Sequence, residues 1–359
     1  MSAAATSERR RIRVLIADDA LESRHLLSSL VSDDPALEVM ASVADGAAAV
    51  RFVARTPPDV VLMDLAMPGL DGFEATRQIM EATPVPIVIC SDAHDSDEVG
   101  AAFRAIEAGA LSCVRKPRAG GGDDDATRAR LVEMLKLMSE VKVVRRWPRA
   151  RRDAAQSAAR TRHGGADGEI QVVGIGASTG GPPVIQSILG ALPKGFPLPV
   201  LVVQHIAKGF LAGLADWLSQ TSGFRVVVAS HGARPLAGHV YLAPDDFHMG
   251  LAREGHIFLS REAPVNGVRP SVSFLLRTLA EACGPSAAGV LLSGMGKDGA
   301  AELKLMRDAG AITVVQDAAS CVVNGMPGEA VAQRAAMHVL APEKIAELLV
   351  AIARRREAR

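Results

Sequence analysis

The sequence predicts an α/β protein made of two doubly wound domains. Short β-branched runs alternate with amphipathic stretches twice, over residues 12–117 and again from residue 169. Between them, residues 145–168 are rich in Arg and small residues and hold almost no large apolar side chain, the composition of a flexible tether. A length of 359 residues suits two domains of ordinary size, each able to build its own core.

In the first alternation the strands are IRVLIA (12–17), LEVMAS (37–42), DVVLMD (59–64), PIVIC (86–90) and LSCVR (111–115). Helical spacing of apolar residues marks Leu21–Val31, Gly46–Arg55, Gly72–Glu81 and Asp97–Ala108 as the helices between them. AGGGDDD (119–125) reads as a turn, and Ala126–Val144 has helical spacing again. Such a (βα)5 order gives a parallel sheet whose chemistry gathers at the carboxyl ends of the strands.

In the second alternation the strands are IQVVGI (170–175), PVLVVQ (199–204), FRVVVA (224–229), AGVLLS (288–293) and ITVVQ (312–316). Pro182–Leu192, Leu211–Thr221, Ser271–Cys283 and Asp298–Ala309 are the helices, giving a Rossmann-like, mostly parallel sheet. GHVYLAPDDFHMGLAREGHIFL (238–259) alternates at period two around Gly and Pro-Asp turns, which predicts an antiparallel β-hairpin insert. The domain map is therefore 10–125, a helix and basic flexible linker at 126–168, and 169–356.

Composition excludes several classes. With 48% apolar and 22% charged residues the chain is not disordered as a whole. Aromatics at 3% argue against base-stacking platforms for single strands, and 40 basic against 40 acidic residues leave no overall basic footprint. Cys90, Cys113, Cys283 and Cys321 are scattered without a CxxC pair, as in a reduced cytoplasmic protein. The apolar run VLIA behind MSAAATSERRR is too short for a signal peptide, and Gly and Pro interrupt the uncharged stretch 170–193. His94, Trp147, Trp217, His239, His248 and His256 read as structural or surface groups.

Asp18 and Asp19 follow the first strand and Asp64 ends the third, so three carboxylates converge at one sheet edge. Like charges at that spacing need a cation, and hard oxygen donors suit Mg²⁺. Ser91 and Lys116 end the fourth and fifth strands and add a hydroxyl and an ammonium, completing a phosphoryl site. ADD (17–19), LMDLAMPGLDG (62–72), CSDAH (90–94) and RKP (115–117) resemble a two-component response-regulator receiver domain. The resemblance implies that Asp64 accepts a phosphoryl group from a chemotaxis histidine kinase. It implies that Asp18, Asp19, Asp64 and the Ala66 backbone hold Mg²⁺, and that Ser91 and Lys116 sense the phosphate. Cys113 stands where the family usually has its aromatic switch residue.

GIGASTGG (174–181) fits a dinucleotide-binding turn, a nucleophile elbow, or a serine nucleophile at a strand end. The first reading lacks its acidic ribose partner, because no Asp or Glu lies between Glu169 and Asp216. The second wants the order Ser, acid, His, which the chain does not supply convincingly. In the third, Ser178 is paired with His205 at the next strand end and Asp298 in LLSGMGKDG (291–299). A serine needs a base, and the base needs a carboxylate to fix its tautomer. Glycines at 294, 296 and 299 let the backbone approach, so that Met295 can offer an oxyanion-binding amide.

IGASTGGP (175–182), QHI (204–206), YLAPDDFHM (241–249), RPSVSFL (269–275), LLSGMGKDGA (291–300) and NGMPGEA (324–330) resemble the catalytic domain of chemotaxis protein-glutamate methylesterases. The resemblance implies a Ser178–His205–Asp298 triad with Met295 as oxyanion donor, acting on methyl-glutamate side chains of chemoreceptors without a cofactor. It also implies deamidation of receptor glutamines, and contact with the membrane array only through the receptors. Val268 and Asn324 depart from the residues frequent in the family. Two other readings stay open: a nicotinamide enzyme, and a non-enzymatic response regulator that binds protein or nucleic acid through the eight Lys/Arg of 142–162.

Overall fold

The computed structural model describes residues 10–92, 96–117, 124–141, 143 and 170–357. The chain divides into two compact units, Met1–Arg152 and Asp153–Arg359. The basic run, His94 and Trp147 lie largely or wholly outside the described residues.

The first unit runs β1 (Ile12–Ala17), α1 (Leu21–Ser32), β2 (Leu37–Val43), α2 (Gly46–Arg55), β3 (Val60–Met63), α3 (Gly72–Ala82), β4 (Ile87–Ser91), α4 (Ser96–Ala108), β5 (Ser112–Arg115) and α5 (Asp124–Ser139). Its five strands are parallel, in the order β2-β1-β3-β4-β5. β1 and β3 are covered on both faces, which is why each reads as an unbroken apolar run and not as an alternation. The strand order reverses between them, and the crevice beyond their carboxyl ends is where such a sheet binds ligands. The side chains of Asp45 and Asp71 cap α2 and α3 by accepting from Ala48 N and Glu74 N. α5, assigned to the linker segment on sequence, packs on β1, β3 and β4 and buries Leu131, Leu135 and Met138. Its apolar stripe has a sheet face to cover, so this helix belongs to the first unit.

The second unit runs β6 (Val172–Ala177), α6 (Gly181–Ala191), β7 (Val200–Gln204), α7 (Leu211–Ser222), β8 (Arg225–Val228), β9 (His239–Leu242), β10 (His248–Leu251), β11 (Ile257–Ser260), α8 (Val272–Cys283), β12 (Ala287–Leu291), α9 (Ala300–Asp308), β13 (Ile312–Gln316), α10 (Met326–Ala332), β14 (His338–Leu340) and α11 (Pro342–Glu357). Seven strands form one sheet in the order β14-β13-β12-β6-β7-β9-β8, parallel at every pairing. β10 and β11 make a separate antiparallel hairpin. The predicted insert is thus shorter than 238–259. Its first arm, β9, joins the parallel sheet between β7 and β8, because Val240 and Leu242 are apolar enough to be buried there. Gly174 and Gly176 on β6 let α8 lie against the strand: a Cβ on either would overlap Leu279 or Val272. Among the described residues no helix is long and apolar enough to cross a membrane.

Candidate active site

At the carboxyl edge of the first sheet, Asp18, Asp19 and Asp64 each offer a carboxylate oxygen within 4.8 Å of the others. Asp18 is fixed by Ala20 N at 2.9 Å and Ser23 Oγ at 2.6 Å. Arg24 pins the turn by donating to the carbonyls of Asp18 and Asp19. Lys116 Nζ stands 2.8 Å from Asp18 Oδ2 and 2.9 Å from Asp64 Oδ2, and supplies the local positive charge. Burial would lower the Lys116 pKa, but the two carboxylates reverse that and hold the ammonium charged. Burial pushes the Asp64 carboxyl up, with Lys116 pulling the other way. Ser91 is buried at the end of β4, and its carbonyl accepts from Lys116 N. Ala66 is exposed behind β3, and its carbonyl accepts no hydrogen bond among the described residues. Hard oxygen donors, one open carbonyl and a net negative cluster fit a divalent cation such as Mg²⁺.

In the second unit, β6 and β7 pair with Ala177 opposite Gln204, so Ser178 and His205 leave the sheet side by side. His205 N donates to Ala177 O at 2.9 Å, and Ser178 N donates to Ser293 O at 3.0 Å. These bonds tie three strand ends, β6, β7 and β12, into one cluster. His205 Nε2 is 3.0 Å from Asp298 Oδ2. The ring N–H points off the line to that oxygen, so the contact falls short of hydrogen-bond geometry. Nδ1 is then the ring nitrogen left for a nucleophile. Among the described residues no hydrogen bond joins Ser178 Oγ to the ring. Catalytic hydrogen bonds commonly close only when substrate binds.

Asp298, predicted as the triad's acid, would by position alone cap the following helix. Gly299 takes that position, and Asp298 turns instead to the start of α8. Its Oδ2 accepts from Val272 N at 2.7 Å, and its Oδ1 accepts from Ser271 Oγ at 2.7 Å, Asn266 Nδ2 at 3.0 Å and Ser273 N at 3.2 Å. Burial alone would raise its pKa, but His205 and these donors hold the carboxyl well below the usual range. No pattern in the sequence marks Ser271, Ser273 or Asn266 as holders of this carboxylate. Ser271, which also caps α8, was legible in RPSVSFL as a cap. Asn266, at φ 53°, had only the Asn-Gly dipeptide as its signal.

His248, read from sequence as structural, is fully buried and joins this network. Its Nδ1 accepts from Ser271 N at 3.2 Å and its Nε2 faces Ala263 O at 3.1 Å, while its ring stacks on Phe274. Burial lowers its pKa, in keeping with a neutral ring that accepts at Nδ1.

The loop after β12 approaches Ser178 closely. A Cβ on Gly294 would stand 2.7 Å from Ser178 Cβ. Gly296 has open space beside it and serves the turn through a φ of 78°, not through close approach. The Met295 side chain is 40% exposed, and its amide N–H makes no hydrogen bond among the described residues, so it is free to donate. Asn324 bridges Gly294, and Val268 closes a tight turn with Val265. Of the glycines of the dinucleotide-like pattern, Gly174 and Gly176 are explained by the packing of α8 on β6, and Gly180 by its φ of 76° beside Val322. The thiols of Cys113 and Cys321 are pushed up to about 12, chiefly by burial, so neither is a ready nucleophile.

Comparison with known proteins gives two family matches: CheB methylesterase over residues 173–349 and response regulator receiver domain over residues 14–121. The chain is 48% identical over 344 residues to protein-glutamate methylesterase/protein-glutamine glutaminase 4 of Geobacter metallireducens, covering 95% of this chain and 99% of that protein. Identity is 47% over 344 residues to protein-glutamate methylesterase/protein-glutamine glutaminase 1 of Syntrophus aciditrophicus, covering 95% and 98%. The crystal structure of the Thermotoga maritima CheB methylesterase catalytic domain is similar at 40% identity, covering 51% of this chain and 98% of that one, with a TM-score of 0.49.

Proposed function

Since the chain belongs to the CheB methylesterase family, with a response-regulator receiver domain ahead of the esterase domain, we propose that it hydrolyses glutamate methyl esters on chemoreceptors under control of receiver phosphorylation. The observation that carries this reading is the juxtaposition of Ser178, His205 and Asp298 at three strand ends, with a free amide at Met295.

Ser178 Oγ attacks the ester carbonyl carbon while His205 Nδ1 takes its proton. Asp298 stabilises the imidazolium and, being saturated with donors, stays an anion. The tetrahedral oxygen is stabilised by the Met295 N–H and by the N-terminus of α6, which starts three residues after Ser178. Methanol leaves with the proton from His205, and water, deprotonated by the same ring, hydrolyses the acyl-enzyme. A receptor glutamine follows the same course with ammonia as the leaving group. The esterase step uses no cofactor in this scheme. A non-enzymatic binding role is not favoured by the family membership.

In the first domain, Asp64 is the phosphoryl acceptor, with a histidine kinase as donor. Asp18, Asp19, Asp64 and the Ala66 carbonyl would hold Mg²⁺, which when bound neutralises phosphoryl oxygens. Lys116 and Ser91 stand ready to meet the transferred group. The test is methanol release from methylated receptors by wild type, Ser178→Ala and Asp64→Asn, each with and without a small-molecule phosphodonor. The reading expects no release from Ser178→Ala and no response to phosphodonor from Asp64→Asn. Activity in Ser178→Ala would overturn the catalytic assignment, and equal wild-type rates in both conditions would overturn the regulation.

A further inference from the structure

We propose that Gln204 is a positioning residue for this reaction, a brace that uses both hydrogens of one side-chain amide to hold the nucleophile turn against the base turn. The proposal deepens the esterase reading and rests on it for the identity of the reaction.

Gln204 is the last residue of β7 and is 4% exposed. Its Nε2 donates to Ser178 O at 2.8 Å and to His205 O at 2.8 Å. Both partners are carbonyl oxygens, so the amide can face them only with its NH₂ end. Beyond the Ala177–Gln204 pairing the two chains leave the sheet, and the last ladder bond is His205 N to Ala177 O. Past that bond no backbone hydrogen bond joins the turn that begins at Ser178 to the one that begins at His205. Gln204 alone spans them among the described residues.

The other end of the amide carries an unmet bond. Oε1 is buried and has no hydrogen-bond partner. It lies over Gly181, where a Cβ would overlap it. A buried oxygen without a donor is a cost, which an apolar side chain of similar length would avoid. What the amide provides in return is the pair of bonds to Ser178 and His205.

Those bonds also set the peptide after the nucleophile. Ser178 O accepts from Gly181 N at 2.8 Å as well as from Gln204, so both of its lone pairs are engaged. In a trans peptide the N–H points opposite to the C=O. Holding Ser178 O inward therefore turns the Thr179 N–H outward, and that N–H makes no hydrogen bond among the described residues. Loss of the brace lets this peptide rotate, changing the Ser178–His205 distance and the direction of the Thr179 N–H together.

The experiment compares Gln204→Met and Gln204→Asn with wild type in full-length protein. The readouts are methanol-release kinetics, the rate of Ser178 labelling by a fluorophosphonate, and thermal melting. Thr313→Val, which removes a buried hydrogen bond to Ala335 O at the β13 edge, controls for lost stability alone. For a misplacement of about an ångström, kcat and labelling should fall by up to about 10²-fold in Gln204→Met, with KM changed by no more than about 2-fold. Thr313→Val should keep both rates per folded molecule. In wild type, both Gln204 side-chain amide protons should be protected from solvent exchange, a measurement that needs no variant. Wild-type kcat in folded Gln204→Met, a loss matched by Thr313→Val, or fast exchange of the Gln204 amide protons would each overturn the brace. If wild type released no methanol, the esterase reading would fail instead, and labelling and exchange would still judge the brace.

Discussion

Asp64 in the first unit and Asp298 in the second are both buried at the carboxyl edge of a parallel sheet, 6% and 4% exposed, yet they are held in opposite ways. Asp298 accepts from two side chains and two amides across its two oxygens, with His205 Nε2 a further 3.0 Å contact. Among the described residues Asp64 accepts only from Leu65 N on one oxygen and Lys116 on the other. The consequence appears in acidity: burial raises the Asp64 pKa, whereas donors overcome burial and lower that of Asp298. A carboxylate that must bond to phosphorus has to keep lone pairs uncommitted. A carboxylate that only orients an imidazole works best when every lone pair is taken. Burial is common to both sites, and donor count is what separates the two carboxylates.

The largest effect that tests this contrast is at the nucleophile. Ser178→Ala should lower methanol release by at least about 10⁴-fold, while phosphoryl incorporation at Asp64, followed by radiolabel, continues. Asp298→Asn should come next, lowering kcat by about 10³–10⁴-fold through the wrong imidazole tautomer. An Asp298→Asn enzyme of near-wild-type kcat would break the comparison. Asp64→Asn should abolish phosphoryl incorporation, and with it the difference between rates with and without phosphodonor.

A smaller effect is expected at a donor. Ser271→Ala removes one bond to Asp298 and the cap of α8, which should cost about 1 kcal/mol of stability in chemical denaturation. It should also lower kcat by about 10-fold through loosened positioning. The smallest effect is in acid stability. The native Asp298 pKa lies below its unfolded value of about 3.9, so the unfolded state binds the proton more readily. Its contribution is fully present above that value and is lost as pH falls toward the native pKa. Below about pH 4, amide protection factors at β6 and β7 should fall more in wild type than in Asp298→Asn.

Most of the architecture was legible because parallel strands covered on both faces announce themselves as apolar runs. The positions of Ser178, His205, Asp64 and Lys116 were legible for a related reason: each follows or ends such a run. The misreadings have a common cause, too. β9 alternates like a hairpin arm, and only the sheet it joins reveals that it pairs in parallel. α5 was assigned to the linker because a helix beside a basic run does not say which surface it will cover. Asp298 stood out as a carboxylate in a glycine-rich turn, but its donors Asn266, Ser271 and Ser273 bind it from far along the chain. His248 looked inert, because its partner Ser271 N is 23 residues away. Periodicity reports which face a residue takes, but not which distant donor completes its bonds.

The glycines of β6 carry a consequence for anyone who would engineer this domain. Gly176 admits Val272, and Val272 N is one of the donors to Asp298. A methyl group added in the interior of a strand, on a residue with no functional atom, would push the helix outward and carry that donor away from the carboxylate. Catalytic tolerance in this enzyme is therefore set partly by strand-to-helix spacing. Ser178, His205 and Asp298 transplanted onto a sheet without those glycines would be the same three side chains with a loose third member.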